Sequence, residues 1–168
     1  MSQLASRYQQ VLARVASACL ASGRAATDVE LVAITKNHPA EVVAELVDLG
    51  HRQFGENRDQ EAKPKAAQVA ELVASKDFDY KWHFIGQLQS NKVRSALSYS
   101  SVIHSVDRQS LLDAIIKAVA ERSDPLDVFI QLNLTDDPGR GGIEPKHLEP
   151  FAEQVLAIKN LNLLGVMG

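Results

Sequence analysis

Apolar residues recur along this chain in two alternating rhythms. Leu4, Tyr8, Val11, Leu12, Val15 and Cys19 repeat at the spacing of an amphipathic helix, and Gly23 follows as a stop. The next apolar run, within 30–36, is short, made of strand-forming residues, and ends on Lys36. Pro39 then opens a helix whose buried face is Val42, Val43, Leu46, Val47 and Leu49, before Gly50. The alternation repeats. A strand at 53–57 leads into a helical stretch through Ala74, which Pro64 is expected to kink or restart. A third strand at 80–86 precedes a short helix from Ser90. A fourth strand follows at 102–106, with Asp107 as N-cap of a helix through Arg122. A fifth at 127–133 is followed by a Gly-rich loop, a helix from Pro145 to Lys159, and a sixth strand at 161–168.

Strands alternating with helices every 25–30 residues or so imply parallel strands joined by right-handed crossovers. Two architectures satisfy that pattern: an open doubly wound sheet and a (β/α)8 barrel of the TIM type. The Gly-x-Gly-x-x-Gly fingerprint is absent after the first strand, which favours the barrel. A complete barrel takes about 250 residues, whereas this chain has 168. The expectation is therefore an α/β, (β/α)8-type single domain over 1–168, cut short after about the sixth strand of a longer natural chain. No linker or low-complexity stretch divides it.

Composition narrows the class. With 45% apolar and 23% charged residues, the chain is neither disordered, collagen-like nor a disulfide scaffold. Its net charge of −3 and pI near 5.9 lack the positive field that nucleic-acid binding needs. The lone Cys19 cannot pair internally, and the five histidines show no ligand spacing, so no metal is expected. No basic-then-apolar leader and no apolar run of membrane-spanning length is present. A cytoplasmic protein without membrane or nucleic-acid partners is expected.

In both architectures ligands bind at the carboxyl ends of strands. That selects Lys36, Asn57, His83 with Gly86, the 104–107 segment and Asn133. A lysine crowning a buried strand is placed for partial desolvation, which frees its amine for imine formation; a solvated loop lysine is the plain alternative. Asn57, after Gly55, offers an amide to a ligand or caps the next helix. Strand alternation separates His83 and Ile85 from Trp82 and Phe84, so His83 either reaches a bound ring in the barrel interior or is a hydrogen-bonded core residue. The stretch 89–92 supplies polar side chains and a helix start suited to an anion. The loop 136–142 is a mobile active-site loop or a simple surface turn.

Taken together, the stretches 31–36, 55–61, 82–92 and 165–167 resemble, in order, the YggS/PROSC family of pyridoxal 5'-phosphate (PLP) homeostasis proteins, relatives of the alanine racemase N-terminal barrel. The segment Trp82-His83-Phe84-Ile85-Gly86-Gln87-Leu88-Gln89-Ser90-Asn91-Lys92 is the most specific. The resemblance implies a fold-type-III PLP barrel with Lys36 holding the cofactor as a Schiff base. Asn57 and His83 would line the cofactor, His83 beside the pyridine ring, and Asn133 and Met167 would face the same pocket. Arg140 stands where the family has a lysine, which keeps charge but changes donor geometry. The family's late phosphate-binding loop and its pyridine-facing arginine have no counterpart in this sequence.

The implied role is a non-catalytic PLP carrier, with apo-enzymes that use PLP as possible recipients. A racemase-like amino-acid enzyme is the second reading, and a cofactor-free interaction protein the third.

Overall fold

The computed structural model describes residues 2–76, 78–120, 122–137 and 139–168. Met1 and Pro138, parts of the N-terminal segment and of the loop read above, lie outside the described residues, as do Asp77 and Glu121. The first helix, α1 (Gln3–Ala21), starts where the Ser2 hydroxyl accepts the Ala5 N–H at 3.0 Å. Strand β1 (Ala33–Ile34) leads to helix α2 (Ala40–Asp48), then β2 (Gln53–Glu56) to α3 (Asp59–Leu72). The same unit recurs as β3 (Lys81–Phe84) with α4 (Val93–Ala96), and β4 (Val102–Val106) with α5 (Gln109–Val119). Strand β5 (Leu126–Gln131), helix α6 (Leu148–Leu156) and strand β6 (Leu161–Met167) complete the order.

All five pairings are parallel, and the strands lie in the sheet in sequence order, β1 to β6. A doubly wound sheet would reverse its order at a switch point; this one does not. The arrangement is that of a partial (β/α)8 barrel.

Period-two alternation sorts each strand's side chains. Phe54, Trp82, Phe84, Ile103, Leu126, Val128 and Ile130 pack under the helices and are buried. They form two clusters, one between α2, α3, β2 and β3 around Trp82, the other between α4, α5, α6 and β3 to β6. In α5 the buried face is Leu111, Leu112, Ile115 and Val119, each worth roughly 1.5–3 kcal/mol of burial. The opposite face of the sheet carries Gln53, Gly55, Lys81, His83, His104, Asp127 and Phe129.

Several boundaries differ from the expected ones. Strand β1 keeps two ladder residues of the seven anticipated, Ala33 and Ile34, paired with Phe54 and Gly55. Helix α3 runs through Pro64 unbroken. Proline there forfeits one bond to the preceding turn, which Val69, Ala66 and Ala62, buried against the core, outweigh. Asn57 and Asp107 are not N-caps: the cap positions are Arg58 and Arg108, with no side-chain cap bond, and Asp107 pairs with Arg108 at 2.6 Å instead. Helix α6 begins as a 3-10 turn at Pro145–His147 and stops at Leu156.

Candidate functional site

Lys36 lies two residues beyond β1, in the turn into α2, as the sequence places it. Its side chain is exposed rather than partly desolvated, and it has no hydrogen-bond or ion-pair partner among the described residues. The turn is tight: Asn37 has φ 63°, a left-handed conformation that asparagine tolerates better than most residues. The His38 N–H closes it onto the Thr35 carbonyl at 3.0 Å.

Asn57 follows β2 directly, so the pairing of Ile34 with Gly55 brings Lys36 and Asn57 to neighbouring strand ends. Asn57 is half-buried, and its carbonyl presses so closely on Gly86 that any side chain there would collide with it. Gly86 is a glycine for that reason. Asn57 also borders an open cavity of about 510 Å³ shared with Gln60, Gln87, Gln89, Lys92 and Arg108. The helix expected from Ser90 is a 3-10 turn followed by the four residues of α4.

His83 sits lower. It pairs with Gly55 across β2–β3, one residue before the end of β2, and is 4% exposed. Its Nε2–H donates to Gln53 Oε1 at 2.7 Å. Its Nδ1, then unprotonated, accepts from His104 Nε2–H at 2.8 Å. His104 stacks on Phe129 with ring centroids 4.5 Å apart. Burial, and then the neighbouring His104, bring the His83 pKa down to about 4, so both rings are neutral at pH 7. In this conformation His83 is a satisfied interior residue.

Asn133 and Met167 lie across the sheet from Lys36, Asn133 two residues beyond β5 and Met167 at the end of the adjacent β6. The Met167 carbonyl accepts from Leu132 N–H at 2.8 Å. Asn133 spends its amide on the loop that follows: Oδ1 accepts the Thr135 N–H and hydroxyl, both at 2.9 Å, and Nδ2 donates to the Asp137 and Arg140 carbonyls, both at 3.3 Å. The described residues of that loop, 136–137 and 139–142, are thus tied back to Asn133 and flanked by the Leu132–Ile143 bridge, with Gly142 at φ 121°. The structure therefore groups Lys36 with Asn57, and Asn133 with Met167, on one rim of the sheet, with His83 below it.

Beneath Lys36 lies a group that the sequence reading missed. Glu56, fully buried at the end of β2, accepts on Oε1 from the Thr35 hydroxyl at 2.7 Å and from Lys65 Nζ at 2.7 Å. Lys65, on α3 and 8% exposed, also donates to the Thr35 carbonyl at 2.8 Å. Asp59 and Tyr99 are nearby, and burial followed by their carboxylate neighbours raises the Tyr99 pKa. The legible signal was Lys65 itself, a charge at helical spacing among Ala62, Ala66 and Val69 on the buried face of α3.

Comparison with known proteins agrees with this fold. The profile of the family "Alanine racemase, N-terminal domain" matches residues 12–168. The pyridoxal phosphate homeostasis protein of Mycobacterium leprae is 39% identical over 99% of this chain and 70% of its own length. That of Aquifex aeolicus is 37% identical over 96% and 68%, and that of Escherichia coli K12 is 34% identical over 99% and 70%. The structure of PipY from Synechococcus elongatus PCC7942 with PLP bound superposes with a TM-score of 0.79, at 31% identity over 98% of this chain and 69% of that one. Alanine racemase from Corynebacterium glutamicum, at 15% identity and a TM-score of 0.62, shares the fold.

Proposed function

Because this chain belongs to the alanine racemase N-terminal domain family, we propose that it binds PLP through the Lys36 amine and serves PLP homeostasis. The supporting observation is the unpaired Lys36 amine at a strand's carboxyl end, in a fold that superposes on PLP-bound PipY. The Lys36 amine would hold PLP as a Schiff base, for which the cofactor, when bound, would supply the aldehyde. Asn57, on the next strand end, has a half-buried amide that among the described residues has no side-chain partner and would orient the ring substituents. Asn133 and Met167 line the far rim, and His83 supports the floor. The reading is of a carrier in the cytoplasm, with PLP-dependent apo-enzymes as recipients, and no turnover of amino acids is expected. Among the described residues no helix is long and apolar enough to cross a membrane.

The test is to mix protein with PLP, reduce with borohydride and map the modified peptide. Label on Lys36, and loss of the imine absorbance in Lys36→Ala, are expected. Label elsewhere, or full absorbance in that variant, overturns the assignment.

A further inference from the structure

Strand β1 has little to hold its register. Two residues, Ala33 and Ile34, pair with β2. A slip of one residue would exchange the faces of Thr35 and Lys36, because side chains alternate along a strand. The buried group beneath the turn opposes that slip at three points. The Thr35 N–H donates to Gly55 O at 3.0 Å, its hydroxyl donates to Glu56 Oε1 at 2.7 Å, and its carbonyl accepts from Lys65 Nζ at 2.8 Å.

Lys65 and the Thr35 hydroxyl converge on the same oxygen of Glu56 and leave Oε2 without a partner among the described residues. An ion pair buried in this way is poor value for stability, since apolar residues of similar volume often do as well or better. What apolar residues cannot supply is direction: two donors and one carbonyl fix where the residue before Lys36 sits. We infer that Thr35, Glu56 and Lys65 form a clamp that sets the β1–α2 turn, making Lys65 a positioning residue for the amine of Lys36. This inference rests on the reading of Lys36 as the imine-forming residue.

Two measurements on the full chain test it. The first is amide hydrogen exchange at His38, whose N–H closes the turn on the clamped carbonyl. The second is the share of borohydride-fixed PLP carried by Lys36 among all lysines. In Lys65→Met and Thr35→Val, His38 exchange should rise about tenfold or more and the Lys36 share should fall about fivefold, with the fold retained by circular dichroism. Thr35→Ser, which keeps the hydroxyl, should stay within about twofold of the parent on both. Parent-like exchange and labelling in a folded Thr35→Val or Lys65→Met chain overturns the clamp. Thr35→Val, nearly isosteric, decides the matter should Lys65→Met not fold. A parent chain that takes no label at Lys36 overturns the imine reading instead, and the exchange measurement, which needs no PLP, still decides the clamp.

Discussion

At the scale of single residues, the interior histidines give a pH dependence with a definite sign. His83 holds its pKa near 4 in the fold and returns to its usual value, near 6.5, when the chain unfolds. Above that value neither state binds the proton, so His83 adds no slope. As pH falls from about 6.5 towards 4, the unfolded chain takes a proton that the folded one refuses, and stability drops. Urea unfolding at pH 7 and pH 4.5 should show this loss, and His83→Asn should remove on the order of 2–3 kcal/mol of it. His104 and His51 shift in the same direction, so part of the slope persists. The placement of Lys36 and Asn57 at neighbouring strand ends was legible because the strands could be counted off in the sequence. The alternation of His83 with Trp82 was legible too, but not its partner, since Gln53 and His104 come from two other strands. Lys65 stood out as a charge on a buried helical face, but its pairing with Glu56, nine positions away, was hidden for a similar reason, since the two meet only through the fold.

At the scale of elements, the two rhythms located six strands and six helices, because buried faces dictate period and period dictates type. Ends were less legible. Asn57 and Asp107 have the composition of caps, yet the turns before α3 and α5 put arginines in the cap positions. Pro64 reads as a breaker only when core contacts are left out. The glycines separate these local effects from packing. Gly23 has φ 69° and nothing near its missing Cβ, so Gly23→Ala should cost about 1 kcal/mol of strain. Gly86→Ala forces Cβ into the Asn57 carbonyl and should cost about 3 kcal/mol or more in thermal unfolding, with weaker PLP binding if Asn57 moves. Similar costs for the two variants would refute the close contact between these strand ends.

On the scale of the whole molecule, two apolar clusters share one sheet, and Tyr99 packs against both. Trp82, the chain's one tryptophan, belongs to the cluster under α2 and α3, so its fluorescence watches one half while far-ultraviolet circular dichroism watches all helices. Coincident urea transitions by the two probes are expected of a single domain. A tryptophan transition displaced from the other would divide the chain into two cooperative units. The strand order carries a further consequence. Each strand's neighbours in space are its neighbours along the polypeptide, so no rung of the sheet waits for a distant partner. A nascent chain leaving the ribosome can lay down one βα unit upon the last, and the lysine-bearing turn is built and braced by α3 before the later strands have been synthesised.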